Sequence, residues 1–228
     1  MTELPPQRRL FGRQKGKALR AHQAELVDEL LPRLSCDLAA PFVSPRAIFG
    51  RDVAELRVEI GFGGGEHLVA AAAAEPDVGF IGCEPFVNGM ARLLAKIEAQ
   101  GLSNIRLYRG DAGEVLDWLP AQSLGRVYLF YPDPWPKRRQ RKRRFVCADN
   151  IARLARVLRT SAELRFATDI DDYAGWTLAR LRADANFSWA AQGAADWLAP
   201  WPGWTRTKYE NKAMAAGRKP VYLTFVRR

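Results

Sequence analysis

Short apolar runs of strand length recur along this chain, separated by longer stretches with helical spacing. Residues 56–60, 78–83, 104–108, 126–131 and 162–168 read as strands. Residues 66–75, 87–100, 115–119, 145–158 and 172–183 read as the helices between and after them, and Gly101 marks the stop of the second. A further helix is expected from Ala21 to about Arg33, with Leu26, Leu30 and Leu31 on one side, and Pro41 and Pro45 bracket an irregular link. Alternation of this kind predicts an α/β fold: a doubly wound, mostly parallel sheet with helices on both faces. The last third changes character. Residues 187–191 and 221–226 read as strands, joined by a linker that holds Trp197, Trp201 and Trp204.

Charge adds a second layer. The 228 residues carry a formal net charge of +10, unevenly placed. Residues 1–20 hold Arg8, Arg9, Arg13, Lys15, Lys17 and Arg20 against Glu3 alone, residues 137–144 hold seven positive charges in eight positions, and residues 206–228 hold seven basic groups against Glu210. Three separated basic zones suit a long polyanion better than a small acidic metabolite. Residues 1–20 show no periodicity and are expected to form a mobile basic arm, with residues 21–228 as one domain. Cys36, Cys83 and Cys147 are odd in number, far apart and without a Cys-x-x-Cys pair. That points away from a disulfide framework or a zinc site and toward a cytoplasmic protein. No signal-peptide pattern is present, and the longest apolar-rich run, residues 68–74, is too short to span a bilayer. Neither a membrane nor a metal is expected as a partner.

Candidate chemistry collects at the strand ends. After the first strand the chain reads Glu59-Ile60-Gly61-Phe62-Gly63-Gly64-Gly65 and enters a helix. A dinucleotide fingerprint starting at Gly61 would place its third glycine at position 66, which is Glu66, so the NAD or FAD pattern fails. A carboxylate near a helix N-terminus also repels pyrophosphate. The turn instead suits a ligand with a positive charge and no phosphate, such as S-adenosylmethionine. Glu84 closes the second strand, where a carboxylate accepts ribose hydroxyls, and Asp111 closes the third, where it accepts the adenine amine. Ligands of open α/β sheets bind outside the carboxyl ends of the strands, where Glu59, Glu84, Asp111 and Asp133 all fall. Glu59, Gly61, Gly63, Glu84, Asp111 and Asp133 are therefore the expected cofactor residues.

The fourth strand runs into Tyr131-Pro132-Asp133-Pro134-Trp135-Pro136, directly before the basic run. An acid in a proline-stiffened turn, beside an aromatic ring and a cationic stretch, suits a site that holds a nucleobase and neutralises its phosphates. Arg138, Arg139, Arg141, Lys142, Arg143 and Arg144 are assigned to RNA phosphates together with the N-terminal arm.

These residues together resemble the bacterial tRNA (guanine-N7)-methyltransferase family. Pro132-Asp133-Pro134-Trp135-x-Lys137 is similar to that family's signature loop, Glu59-Ile60-Gly61-x-Gly63 and Gly82-x-Glu84 to its cofactor motifs, Thr168-Asp169 to a substrate-binding aspartate, and Thr207-Lys208-Tyr209-Glu210 to its late Thr-x-x-Glu element. The resemblance covers about residue 56 to the C-terminus. It implies a Rossmann-like methyltransferase sheet with an antiparallel C-terminal strand, S-adenosylmethionine as cofactor and tRNA as partner. The implied reaction is methyl transfer to guanine N7 at position 46 in the variable loop. It further implies Asp133 as the catalytic residue, with Lys137, Asp169, Thr207, Lys208, Tyr209 and Glu210 binding substrate. Many members carry histidines in the loop where this chain has Pro136 and Gln140, so no loop imidazole is expected to act here. His22 and His67 read as structural. A methyltransferase acting on an exocyclic amine would favour Asn/Asp-Pro-Pro-aromatic in place of Pro-Asp-Pro-Trp. A non-catalytic RNA-binding protein would leave the four strand-end acids unexplained. The three tryptophans of the linker suit core, an RNA-facing wall or a dimer contact, and the chain suits a monomer or a homodimer.

Overall fold

The computed structural model describes residues 16–228; of the arm expected over residues 1–20, residues 1–15 lie outside them. Seven strands form one sheet: β1 (Glu55–Ile60), β2 (Val78–Cys83), β3 (Ile105–Tyr108), β4 (Leu124–Phe130), β5 (Leu158–Thr168), β6 (Phe187–Trp189) and β7 (Val221–Arg227). Their order is β3-β2-β1-β4-β5-β7-β6. The first five strands pair in parallel, while β7 runs antiparallel to both β5 and β6. The strand order reverses between β1 and β4, which opens a crevice at their carboxyl ends. The helices are α1 (Ala21–Leu34), α2 (Pro45–Phe49), α3 (Glu66–Ala74), α4 (Val87–Gln100), α5 (Ala112–Trp118), α6 (Ala148–Val157), α7 (Asp171–Ala183), α8 (Ala195–Leu198) and α9 (Lys208–Ala215).

Side chains alternate across the sheet with the two-residue period of a strand. Val58 and Ile60 of β1, Ile81 and Cys83 of β2, and Val127 and Leu129 of β4 join one core with Val115 of α5, Leu154 of α6 and Leu181 of α7. Phe80 of β2 and Tyr128 and Phe130 of β4 face the other side, with Leu26 of α1, Leu68 of α3 and Leu94 of α4. Both faces of the central strands are covered, which explains why they read as unbroken apolar runs.

Several boundaries differ from the sequence reading for local reasons. α5 starts at Ala112 rather than at 115 because Asp111 caps it, Oδ1 accepting from the Gly113 amide at 2.8 Å. α6 starts at Ala148 because the basic run forms a 3₁₀ turn over Arg138–Arg143. β5 starts at Leu158, which pairs with Leu124, whereas Glu163 already pairs with Arg126. The surplus residues bulge around Ser161 (φ 67°), which interrupts the strand pattern. α2 falls in the expected irregular link, although Ser44 before Pro45 is a start signal: the Ser44 hydroxyl accepts from the Ala47 amide at 3.1 Å. α9 falls in the expected linker.

Candidate active site

The turn after β1 depends on backbone that only glycine adopts freely. Gly61, Gly63 and Gly65 have φ of 70°, 59° and 73°. The Gly61 amide donates to the Cys83 carbonyl at the end of β2, at 2.8 Å. The Gly63 amide donates to Glu84 Oε2 at 2.8 Å, and the Phe86 amide donates to Glu84 Oε1 at 2.9 Å. Glu84 is thus pinned by two backbone amides. Burial pushes its carboxyl pKa up, the two amides oppose that, and Asp133 nearby pushes it further up. Gly89 in the first turn of α4, missed in the sequence, presses on the same loop: a β-carbon there would stand 2.3 Å from the Gly63 carbonyl oxygen and 3.3 Å from Glu84 Cγ. A lone glycine early in a strong helical pattern was the available signal.

Glu59 lies near the end of β1. It is 3% exposed, and its Oε2 bonds His67 Nδ1 of α3 at 2.7 Å. The His67 ring sits among Tyr128, Phe130 and Trp204, with centroids 4.7, 4.8 and 5.4 Å away. Glu59 and His67 therefore link α3 to β1 behind the turn.

The loop after β4 carries two non-glycine residues in left-handed backbone, Tyr131 (φ 49°) and Trp135 (φ 42°). Such residues cost about 1–3 kcal/mol each and persist only where their surroundings hold them. The Tyr131 amide donates to the Ala167 carbonyl of β5 at 2.8 Å. Between these two residues stands Asp133, exposed to the crevice and, among the described residues, without a hydrogen bond or ion pair. Partial desolvation raises its carboxyl pKa. Trp135 lies under the guanidinium of Arg143, 4.9 Å from carbon to ring centroid. Tyr209 of α9 completes the group: burial and the nearby Glu84 and Asp133 carboxylates raise its phenol pKa, and its ring lies against Gly63.

The basic run divides into two groups. Lys137, Arg138, Arg139 and Lys142 are exposed and point to solvent. Arg144, assigned above to RNA phosphates, is buried, with its side chain 0% exposed. Its Nε donates to the Pro134 carbonyl at 2.8 Å and its Nη2 to Asp172. That departs from the assignment: Nε and Nη2 are engaged beneath the loop and Nη1 is buried, so the guanidinium has no exposed face for a phosphate. Arg141 is half engaged, donating to the other oxygen of Asp172 at 2.7 Å.

The late element is likewise built into the fold. Thr207 Oγ1 caps α9 by accepting from the Glu210 amide at 3.2 Å, and Glu210 is 1% exposed. Its carboxylate accepts from Tyr222 Oη at 2.5 Å and from Trp204 Nε1 at 2.7 Å. Trp201 and Trp204 pack on Phe130 and Tyr222, which seats this part of the linker, partly buried, against the core. Thr207 and Glu210, expected to touch substrate, have their side chains occupied internally, whereas Lys208 and Tyr209 between them are exposed. Asp169 accepts from Arg218 Nε at 2.5 Å. Among the described residues no cluster of three or more His, Cys, Asp or Glu is placed to hold a metal ion, and no helix is long and apolar enough to cross a membrane.

Residues 54–223 match a protein family described as "Putative methyltransferase". The tRNA (guanine-N(7)-)-methyltransferase of Rhodopseudomonas palustris (strain BisB18) is 56% identical over 223 residues, 97% of this chain and 89% of that one. The protein of the same description from Chelativorans sp. (strain BNC1) is 53% identical across 100% of both chains. Among solved structures, the 16S rRNA methyltransferase KamB superposes with a TM-score of 0.60 at 17% identity, covering 83% of this chain and 96% of that one, a likeness of fold.

Proposed function

Because the chain belongs to the bacterial tRNA (guanine-N7)-methyltransferase family, we propose that it methylates N7 of the guanine at position 46 in the tRNA variable loop. The cofactor is S-adenosylmethionine, and the glycine turn fits it. Glu66 stands at the start of α3, where a dinucleotide-binding turn has glycine. In this reading Gly61, with open space where a β-carbon would stand, allows close approach of the ligand, Gly63 lets Tyr209 close over the turn, the pinned carboxylate of Glu84 receives the ribose hydroxyls, and Asp111 offers the adenine amine the oxygen that does not cap α5. When bound, S-adenosylmethionine supplies a methyl group on a positively charged sulfur.

The observation that carries the reading is Asp133: a carboxylate without a partner among the described residues, held on a strained loop beside Glu84. Guanine N7 has a lone pair and no proton, so no side chain is required as general base. Asp133 accepts from the guanine N1–H or amine and offsets the positive charge that methylation places on the base. Orientation supplies the rest, and well-aligned reactants gain up to about 7–11 kcal/mol. Lys137, Lys208 and Tyr209 line the nucleoside side, while Arg138, Arg139 and Lys142 take phosphates.

The test is methyl transfer from labelled S-adenosylmethionine to unmodified tRNA transcript, mapped by strand cleavage at N7-methylguanine. Cleavage in the variable loop is expected. Label elsewhere in the tRNA overturns the position, and no label with cofactor still bound overturns the substrate.

A further inference from the structure

Among the described residues Arg144 is the largest fully buried side chain, and nothing in a phosphate-binding role requires that. Its guanidinium spans two elements. Nε donates to the Pro134 carbonyl at 2.8 Å, and Nη2 pairs with Asp172 in the first turn of α7. The plane is packed against Tyr173 and Trp176, with the guanidinium carbon 4.8 Å from each ring centroid. Trp176 is closed on by Arg180 at 3.1 Å and fixed by its Nε1 donating to the Val146 carbonyl at 2.8 Å. Asp172 also accepts from Arg141, which leaves it bridging two arginines. The buried end of Arg144 is therefore immobilised on α7, and the bond to Pro134 transmits that rigidity outward.

What it grips matters more than how tightly. Pro132, Pro134 and Pro136 have no amide hydrogen to donate, so the Pro134 carbonyl offers Arg144 a handle on a stretch poor in backbone donors. The carbonyl that Arg144 holds belongs to the residue directly after Asp133 and directly before Trp135, whose φ of 42° disfavours any residue but glycine.

We propose that Arg144 is a positioning residue for methyl transfer: bonded to the Pro134 carbonyl and clamped by Asp172, it fixes the orientation of the Asp133 carboxylate in the crevice. The proposal rests on the reading that Asp133 holds the guanine. A lysine at 144 keeps the charge but lacks the planar fork that serves both partners at once. In Arg144→Lys, kcat for tRNA methylation falls at least about tenfold, while the Kd for S-adenosylhomocysteine stays within about twofold of the parent. Asp172→Asn, which keeps an acceptor, shows a smaller loss, and the double variant is no slower than Arg144→Lys because both act through one link.

A second readout needs no turnover. The protein is labelled with 5-fluorotryptophan, and the Trp135 resonance is assigned with Trp135→Phe. Arg144→Lys and Asp172→Asn are expected to broaden or split that resonance while leaving Trp118 and Trp197 unmoved. An unchanged kcat with an unchanged Trp135 line overturns the proposal. So does a loss of cofactor binding and of cooperative melting in proportion to turnover, which marks a merely structural role. If the parent protein binds cofactor but methylates no tRNA, the functional reading falls, and the Trp135 line still decides whether Arg144 orders the loop.

Discussion

The ring of Tyr209 rests on the α-carbon of Gly63: a β-carbon at that position would stand 2.9 Å from Tyr209 Cε2. This contact brings α9, late in the chain, onto the glycine turn after β1. Gly63→Ala meets both the ring and an unfavourable φ, the latter costing about 1–2 kcal/mol. Gly89→Ala is harsher on the site, since its β-carbon would strike the Gly63 carbonyl oxygen, which belongs to rigid backbone. Overpacking of this sort costs about 1–3 kcal/mol, so Gly89→Ala is expected to weaken S-adenosylhomocysteine binding by roughly ten- to hundredfold in calorimetric titration. Binding at the parent affinity would show that the turn does not contact the cofactor.

Asp133→Asn should separate function from stability. Among the described residues the carboxylate has no partner to lose, and its raised pKa means that burial disfavours the charge. Turnover is expected to drop on the order of a hundredfold or more, with cofactor binding retained and the melting temperature unchanged or higher. Near-parent turnover would remove Asp133 from the centre of the mechanism.

The raised carboxyls of Glu84 and Asp133 also give a pH effect its direction. A carboxyl whose folded pKa exceeds its unfolded value, near ~4, favours the fold most when protonated, and that contribution is lost as pH rises through the folded pKa. Binding of a cationic sulfur runs the opposite way, since it needs the carboxylates ionised. As pH falls from neutral through these raised values, affinity for S-adenosylmethionine should decline faster than affinity for S-adenosylhomocysteine, whose sulfur is neutral. Parallel curves for the two ligands, measured by titration calorimetry, would count against a carboxylate near the sulfur.

Phosphate binding is best probed where the side chains are exposed. Charge reversal at Arg138, Arg139 and Lys142 is expected to weaken tRNA binding and to flatten the log–log salt dependence by about 0.7–0.9 for each phosphate no longer neutralised. Arg141 and Arg143 are poorer probes, because reversing them also disturbs Asp172 and Trp135. An unchanged salt slope in filter binding would place the phosphates elsewhere.

Glu210→Ala leaves the Trp204 indole and the Tyr222 hydroxyl without their acceptor inside the core. Each such orphan costs about 1–3 kcal/mol, so chemical denaturation should show a loss of several kcal/mol. Thr207→Ala removes only a helix cap, about 0.5–2 kcal/mol. If both variants melted like the parent but raised KM for tRNA, their side chains would have to face substrate instead.

Strand and helix rhythm made the parallel half of the fold legible from residue 56 to residue 183, because strands buried on both faces leave apolar blocks that need no context. Glu84 and Asp133 were legible for a similar reason: acids directly after such blocks fall at the crevice. Arg144 was not, since a run of basic residues hides which member turns inward, and that depends on Asp172, Tyr173 and Trp176 some thirty residues later. Glu59 and Glu210 match a motif and are buried, and a spacing records that an acid is needed without recording what it faces. α9 was hidden although Thr207 and Glu210 spell a helix start; the tryptophans before it give the stretch the look of a loop.

β7 follows β6 in the chain yet lies between β6 and β5. Until β7 has left the ribosome, β5 presents an open, hydrogen-bond-hungry edge, and neither β6 nor the α9 segment has its final seat. The parallel half can form early in synthesis, but the crevice acquires Tyr209 only when the last strand slides into place.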